Sequence, residues 1–406
     1  MFEPRMLAPS MMRISRSPHR LFLALSVLLA LAACSSRPEP ALTIIEPKQG
    51  SAQTIPVELF AVSMRRPSED ERLRFSGERT LIPRFARVVI SIPKDRPSGE
   101  IQWPNGSTGD AGSHFGARAF ETLDRDAFKA SLARHVSSKN GRHVLVFVHG
   151  YNTRFDEATF RLAQIVHDSG ADVTPVLFSW ASWASLGAYP YDRESAALGR
   201  DGLETLIEKL SAEPGVRQVS ILAHSMGGWL TLETLRQIVI RRGTLPGKVT
   251  NVMLAAPDID IDVALAQGSV IRQSRKKPRM TLFVSTDDRA LSAARWLWGS
   301  RDRLGAINPA KEPYKTMIEK SGVNVIDLSD VSTGDSLKHA KFAASPAIVQ
   351  LIGKRLASGQ DIGTAQGGAN PLTAIVQGTT RAAEAVLTAP LRIGETAAPP
   401  GSALSE

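Results

Sequence analysis

The residues with the clearest chemical reading are Val219-Ser220-Ile221-Leu222-Ala223-His224-Ser225-Met226-Gly227-Gly228, an apolar run that ends in a turn of small residues around one serine. Such a turn forces strained backbone angles on the serine. It also brings the flanking chain so close that the positions two before and two after must be small. Here these are Ala223 and Gly227, with alanine in place of the usual first glycine. A serine hydroxyl is a poor nucleophile near neutral pH, so it needs a base to take its proton and a third group to orient that base. A nucleophile on a strand-to-helix elbow sets the chain order serine, acid, histidine. Of the eight histidines only His339 lies beyond Ser225, in the stretch Asp335-Ser336-Leu337-Lys338-His339. It is the candidate base. The acid is expected at the carboxyl end of a strand between the two, and Asp288 in Thr286-Asp287-Asp288-Arg289 is the choice, with Asp287 and Asp258 as alternatives. The oxyanion formed on attack needs two preorganised donors. The backbone N–H of Met226, at the positive end of the following helix, is one. The backbone N–H of Tyr151, just past His149-Gly150, is the other. His149 is expected to brace its loop, and His224 to be structural.

These residues meet only if the elements before them share a common rim. Val144 to Val148 is a continuous apolar run of buried-strand length; Phe155, Ala158, Leu162 and Ile165 then recur at helical spacing. Val173 to Trp180 reads as the next strand and Asp192 to Leu210 as the next helix, before the elbow strand and a helix over Met226 to Ile240. Val249 to Ala256, Met280 to Ser285 and Asn324 to Leu328 are further strands. Strand and helix alternate, and parallel strands need crossovers, so the pattern predicts a mostly parallel central sheet with helices on both faces and the site at the carboxyl ends of the strands. Ile55 to Ser63 and Ala86 to Ile92 are expected as antiparallel strands at the amino-terminal edge. Ala127 to Val136 reads as a short helix, and the Gly- and Pro-containing stretch from Pro97 to Gly116 is poorly determined.

Five stretches, His149-Gly150-Tyr151-Asn152, Pro175-Val176-Leu177-Phe178-Ser179-Trp180, Tyr191-Asp192-Arg193-Glu194-Ser195-Ala196, Ala223-His224-Ser225-Met226-Gly227 and Ala255-Ala256-Pro257-Asp258, together resemble the uncharacterised bacterial esterase/lipase-like family of the α/β-hydrolase superfamily. The resemblance covers roughly Ile55 to Leu356. It departs at Gly228, where the family often has asparagine, and at Lys341-Phe342, where it has a tyrosine-phenylalanine pair. It implies the α/β-hydrolase fold and hydrolase chemistry, with a serine hydrolase acting on carboxylic esters through an acyl-enzyme as the expectation. A thioesterase or amidase would use the same residues, and the same fold without turnover would be a binding or scaffold protein. Trp180, Trp183, Trp296 and Trp298 lie near expected carboxyl strand ends and are candidates for either an acyl-binding wall or packing under loops.

The 406 residues are 43% hydrophobic, enough for one large domain and its tails. The formal net charge is +9. Arg5, Arg13, Arg16 and Arg20 against Glu3 concentrate part of that excess at the amino terminus. The basic run Arg272, Arg275, Lys276, Lys277 and Arg279 reads as a solvated loop, and without aromatic interleaving no nucleic-acid partner is expected. There is no zinc-type cluster, P-loop or dinucleotide fingerprint, so no metal or cofactor is expected. The small-molecule or lipid acyl ester is the expected partner. The one cysteine, Cys34, follows a positive stretch and the apolar core Leu21 to Ala33, whose thirteen residues are too few to span a bilayer. Leu31-Ala32-Ala33-Cys34 resembles the lipobox of bacterial lipoproteins. That resemblance implies removal of a signal peptide over residues 1–33 and lipid anchoring of Cys34 to a membrane of the cell envelope, the outer membrane facing the periplasm by analogy from Ser35. Residues 34–53 then read as a tether, 54–357 as the domain, and 358–406, rich in Ala, Gly, Thr and Pro with one weak helical stretch from Leu372 to Leu391, as a largely disordered tail.

Overall fold

A computed structural model of the chain describes residues 37–45, 53–104, 109–298 and 301–357. The chain divides into two units, Met1–Pro40 and Ala41–Glu406, and the fold is that of the second. The signal peptide, Cys34 and the tail after 357 lie outside the described residues.

Nine strands form one sheet in the order β3-β2-β1-β5-β4-β6-β7-β8-β9. The first three, β1 (Thr54–Pro67), β2 (Phe75–Pro93) and β3 (Gly116–Leu123), are an antiparallel meander at one edge. The remaining six, β4 (His143–Val148), β5 (Thr174–Ser179), β6 (Gln218–His224), β7 (Val249–Ala255), β8 (Arg279–Val284) and β9 (Asn324–Asp327), run parallel to one another, with β5 joining β1. This is the expected architecture. The edge is larger than its sequence indicates: β1 and β2 extend beyond Ser63 and upstream of Ala86, and β3 begins where the Gly- and Pro-containing stretch ends. The extra residues mix charged, polar and apolar types, with Met64, Arg65 and Phe75 buried but Leu81 and Ile82 exposed, and so they lack the apolar continuity that marks a buried strand.

Helices cover both faces. Along β4, Val144, Val146 and Val148 pack with α1 (Arg125–Ser138), α3 (Tyr189–Ala212), α4 (Met226–Arg242) and α5 (Ile261–Ile271). Leu145 and Phe147 point the other way, into the layer of α2 (Phe155–Ser169), α8 (Lys341–Ala344) and α9 (Pro346–Ala357). Burial on both faces explains why the parallel strands read as unbroken apolar runs. Two further helices, α6 (Arg289–Trp298) and α7 (Tyr314–Ser321), follow β8.

The packed body begins at 41, earlier than the 54 expected from composition. Ala41, Leu42 and Ile45 are buried, and their amides donate to Asp156 Oδ2 (3.2 Å), Arg72 O (3.0 Å) and Ala117 O (2.9 Å). Apolar residues among prolines looked like linker; they cover the α2 face instead. Among the described residues no helix is long and apolar enough to cross a membrane.

Candidate active site

Register aligns the carboxyl ends of the central strands: Val148 lies beside Ala223, His224 beside Ala255, and Ala255 beside Phe283. At this rim β6 ends at His224 and α4 starts at Met226, leaving Ser225 alone in the turn with φ 53° and ψ −122°. A non-glycine residue held there costs about 1–3 kcal/mol, and the surroundings hold it. Ser225 N–H donates to Ala255 O (2.9 Å), and Ser225 O accepts from Gly228 (2.9 Å) and Asp258 (3.2 Å). A Cβ on Gly227 would lie 2.4 Å from His149 O, so only glycine fits two positions after the serine. A Cβ on Gly150 would lie 2.9 Å from Ser225 Cβ, which puts the loop after β4 directly against the elbow. Met226 opens α4, so its N–H is one of those left without an intrahelical acceptor.

His339 and Asp288, 51 residues apart, meet at this rim: His339 Nδ1 lies 2.7 Å from Asp288 Oδ2. A carboxylate only accepts, so Nδ1 carries the proton and Nε2 keeps its lone pair. Asp288 is fully buried just ahead of α6, where its Oδ1 also accepts Leu291 N–H (2.9 Å). Burial pulls the His339 pKa down, but Asp288, then Asp258 and Asp335, more than offset it, and the net shift is upward from 6.5. Asp335 shapes the histidine loop by accepting the amides of Leu337, His339 and Ala340 at 3.0, 2.7 and 2.6 Å. His224 ties this loop to the elbow. Its Nε2 lies 3.1 Å from His339 O, its ring 4.6 Å from that of His339 and 4.8 Å from that of Phe342. Burial, followed by the charge of His339, holds His224 well below its ordinary pKa, so it stays neutral.

The two alternative acids are engaged elsewhere. Asp287 accepts from Lys338 Nζ (2.8 Å) and Lys341 Nζ (2.7 Å); burial opposes ionisation, yet the two ammonium groups hold it well below the ordinary carboxylate range. Buried Lys341 also donates to Leu328 O and Ser329 O, clamping the end of β9 to the turn that carries Asp288. Asp258 accepts from Tyr189 Oη (2.8 Å).

Tyr151 follows Gly150, and its hydroxyl donates to Ser185 O and Leu186 O. Beneath it lies a network that sequence reading did not anticipate. Arg65, on β1 and almost wholly buried, donates to Ser179 Oγ (2.8 Å), Ser182 O (2.8 Å) and Thr153 O (2.7 Å), and its Nη2 lies 3.2 Å from His149 Nε2. A guanidinium cannot accept, so His149 is protonated on Nδ1, which faces Gly150 O at 2.8 Å. Burial, then Arg65, pushes the His149 pKa down to about 3; this histidine braces and does not titrate. Asp192 completes the network, accepting from Ser182 Oγ, Asn152 N–H (3.1 Å) and Trp183 N–H (2.7 Å). Trp180 is a packing residue, fully buried, stacked on His149 at 4.9 Å and donating to His149 O. Trp183 and Trp296 are exposed at 50% and 75%, and the side chain of Trp298 lies outside the described residues.

The model of the family described as alpha/beta hydrolase of unknown function (DUF900) matches residues 124–355, and the chain belongs to that family. Among solved structures, it is similar to carboxyl esterase 2 of the mycorrhizal fungus Tuber melanosporum, at 13% identity over 83% of this chain and 98% of that one, TM-score 0.39. An esterase of Pyrobaculum calidifontis is similar at 14% identity over 84% and 91%, TM-score 0.33. A predicted CIB-like hydrolase of Thermoplasma acidophilum is similar at 12% identity over 75% and 99%, TM-score 0.34. No curated protein matches. By its family, and by the sheet described above, the chain is an α/β hydrolase.

Proposed function

We propose that the protein is a serine hydrolase of carboxylic esters, with Ser225 as nucleophile, His339 as general base, Asp288 as its orienting acid, and the N–H groups of Met226 and Tyr151 as the oxyanion donors. The observation that carries this reading is the 2.7 Å pair of His339 Nδ1 and Asp288 Oδ2, tied through His224 Nε2 and His339 O (3.1 Å) to the elbow that holds Ser225 at φ 53°. Its chemistry follows from the tautomer. His339 Nε2 takes the Ser225 proton as Oγ attacks the ester carbonyl, and the oxyanion collects on the two amides. The imidazolium, stabilised by Asp288, then protonates the departing alcohol. Water repeats the sequence on the acyl-enzyme, returning the acid and free Ser225.

A fluorophosphonate probe tests the nucleophile: the native protein is labelled and Ser225→Ala is not, whereas equal labelling of both refutes the assignment. On short acyl esters His339→Ala loses at least about 10⁴-fold in kcat. Retained turnover reassigns the base. The reading further includes lipid attachment of Cys34 in the bacterial envelope, on the resemblance of Leu31-Ala32-Ala33-Cys34 to a lipobox. Radiolabelled palmitate incorporated into the native chain but not into Cys34→Ser is the expected outcome, and equal incorporation into both overturns it.

A further inference from the structure

Near the elbow, the Asp258 carboxylate lies beside the Arg303 guanidinium and in the field of that of Arg193. Asp258 follows β7 and donates its backbone N–H to Ser225 O, one hydrogen bond from the candidate nucleophile. Its Oδ2 is taken by Tyr189 Oη, but its Oδ1 lies 3.5 Å from Arg303 Nε, beyond hydrogen-bond distance. Both of those atoms are buried without a hydrogen-bond partner. The side chains are 4% and 11% exposed. Arg193, on α3, lies with its guanidinium 3.7 Å over the ring of Trp229 in the first turn of α4. Among the described residues it makes neither an ion pair nor a hydrogen bond. The other acidic residue near it, Glu233, is engaged by Arg236 (2.9 Å), Arg200 (3.8 Å) and Gln267 (3.1 Å).

The cluster belongs to the catalytic rim. The ring of Tyr189 packs edge-on against Tyr151 at 5.2 Å, and the Asp258 charge acts on His339. Burial lowers the Arg193 pKa, Tyr189 and Asp258 oppose that, and Arg303 adds to it, so two cations repel each other across a single carboxylate. Buried donors left without acceptors are costly, and a guanidinium on an aromatic face keeps its N–H edge available for a planar oxyanion.

We propose that Arg193 and Arg303 form a subsite for an anionic group of the substrate, so that Ser225 acts preferentially on esters carrying a carboxylate or phosphate close to the scissile carbonyl. This rests on the reading of Ser225 as nucleophile and adds the charge of the substrate to it. A neutral acyl ester leaves the buried Arg303 Nε–H and the open N–H edge of half-buried Arg193 unmatched; an anion can accept from them and offsets the excess charge.

Two matched pairs of esters test the proposal with the full chain. 4-Nitrophenyl hemiglutarate against 4-nitrophenyl butyrate puts the charge on the acyl side. 4-Acetoxyphenyl phosphate against phenyl acetate puts it on the alcohol side. The expected result is a kcat/KM ratio, anionic over neutral, of about tenfold or more in at least one pair, falling by a similar factor in Arg193→Gln through KM. Arg236→Gln removes the same charge from an arginine committed to Glu233 and leaves the ratio as it was. A ratio near one in both pairs, or one that Arg193→Gln preserves, overturns the subsite while fluorophosphonate labelling of Ser225 stands. If no ester is turned over and Ser225 is not labelled, the nucleophile assignment fails and the subsite fails with it.

Discussion

Two polar clusters flank Ser225, and they differ in whether their hydrogen bonds close. On the β4 side, Arg65 has four named partners, His149 is fixed in one tautomer, and the Asp192 carboxylate accepts from three donors. On the α3 side, Asp258 Oδ1 and Arg303 Nε are buried without a hydrogen bond, and among the described residues Arg193 lies on the face of Trp229 with no hydrogen bond or ion pair. A satisfied buried network fixes geometry, which an oxyanion loop requires, because a donor misplaced by an ångström loses most of its effect. An unsatisfied one retains binding capacity for something that arrives later. The same residue types thus serve as scaffold on one side and as reception on the other, and the difference lies in the count of partners.

The contrast is open to attack where it predicts the largest energies. Arg65→Met strands His149, Ser179 and two backbone carbonyls and leaves Asp192 without its cation. Breaking a buried charge network in this way costs about 3–5 kcal/mol, and chemical denaturation reads it directly. Arg303→Met, on the open side, removes a guanidinium whose Nε has no hydrogen bond and pairs with Asp258 only at 3.5 Å, while Arg193 still offsets the charge of that carboxylate, so a smaller loss, about 1–2 kcal/mol, is expected. Equal losses from the two variants would erase the distinction between a closed and an open cluster.

The difference between the clusters also explains what could be read from the chain. The parallel strands were legible because burial on both faces writes them as continuous apolar runs, and Ser225, Asp288 and His339 could be singled out as candidates because an elbow imposes an order that few residues satisfy. Arg65 was not, since nothing in Met64-Arg65-Arg66 separates a buried guanidinium from the charged end of a strand. The open cluster was less legible still. Arg193, Trp229, Asp258 and Arg303 come from α3, α4 and the segments after β7 and α6, and only the tertiary fold assembles them. The role of Lys341 was hidden for another reason: a substitution in a familiar pattern signals change, but its partners, Asp287 and the carbonyls after β9, are visible only in three dimensions.

The smallest expected effect joins the open cluster to the reaction. On the proposed reading deprotonated His339 is the base, so kcat/KM is expected to rise with pH through a midpoint that reports His339 in the free enzyme. Since Asp288, Asp258 and Asp335 outweigh burial, that midpoint lies above 6.5. Asp258→Asn removes one carboxylate that favours the imidazolium and exposes His339 to Arg303 and Arg193 without their counter-charge. Both changes disfavour the charged ring, so the acid limb moves to lower pH, by less than about one unit, equivalent to about 1.4 kcal/mol. Asp335→Asn is a poorer probe, because three backbone amides depend on that carboxylate and the loop itself would shift. A pH–rate profile of Asp258→Asn with a neutral ester isolates the electrostatic effect from anion binding. A midpoint that stays or rises would mean that the charges of the α3 side do not reach the base, and that the open cluster neighbours the nucleophile without acting on its chemistry.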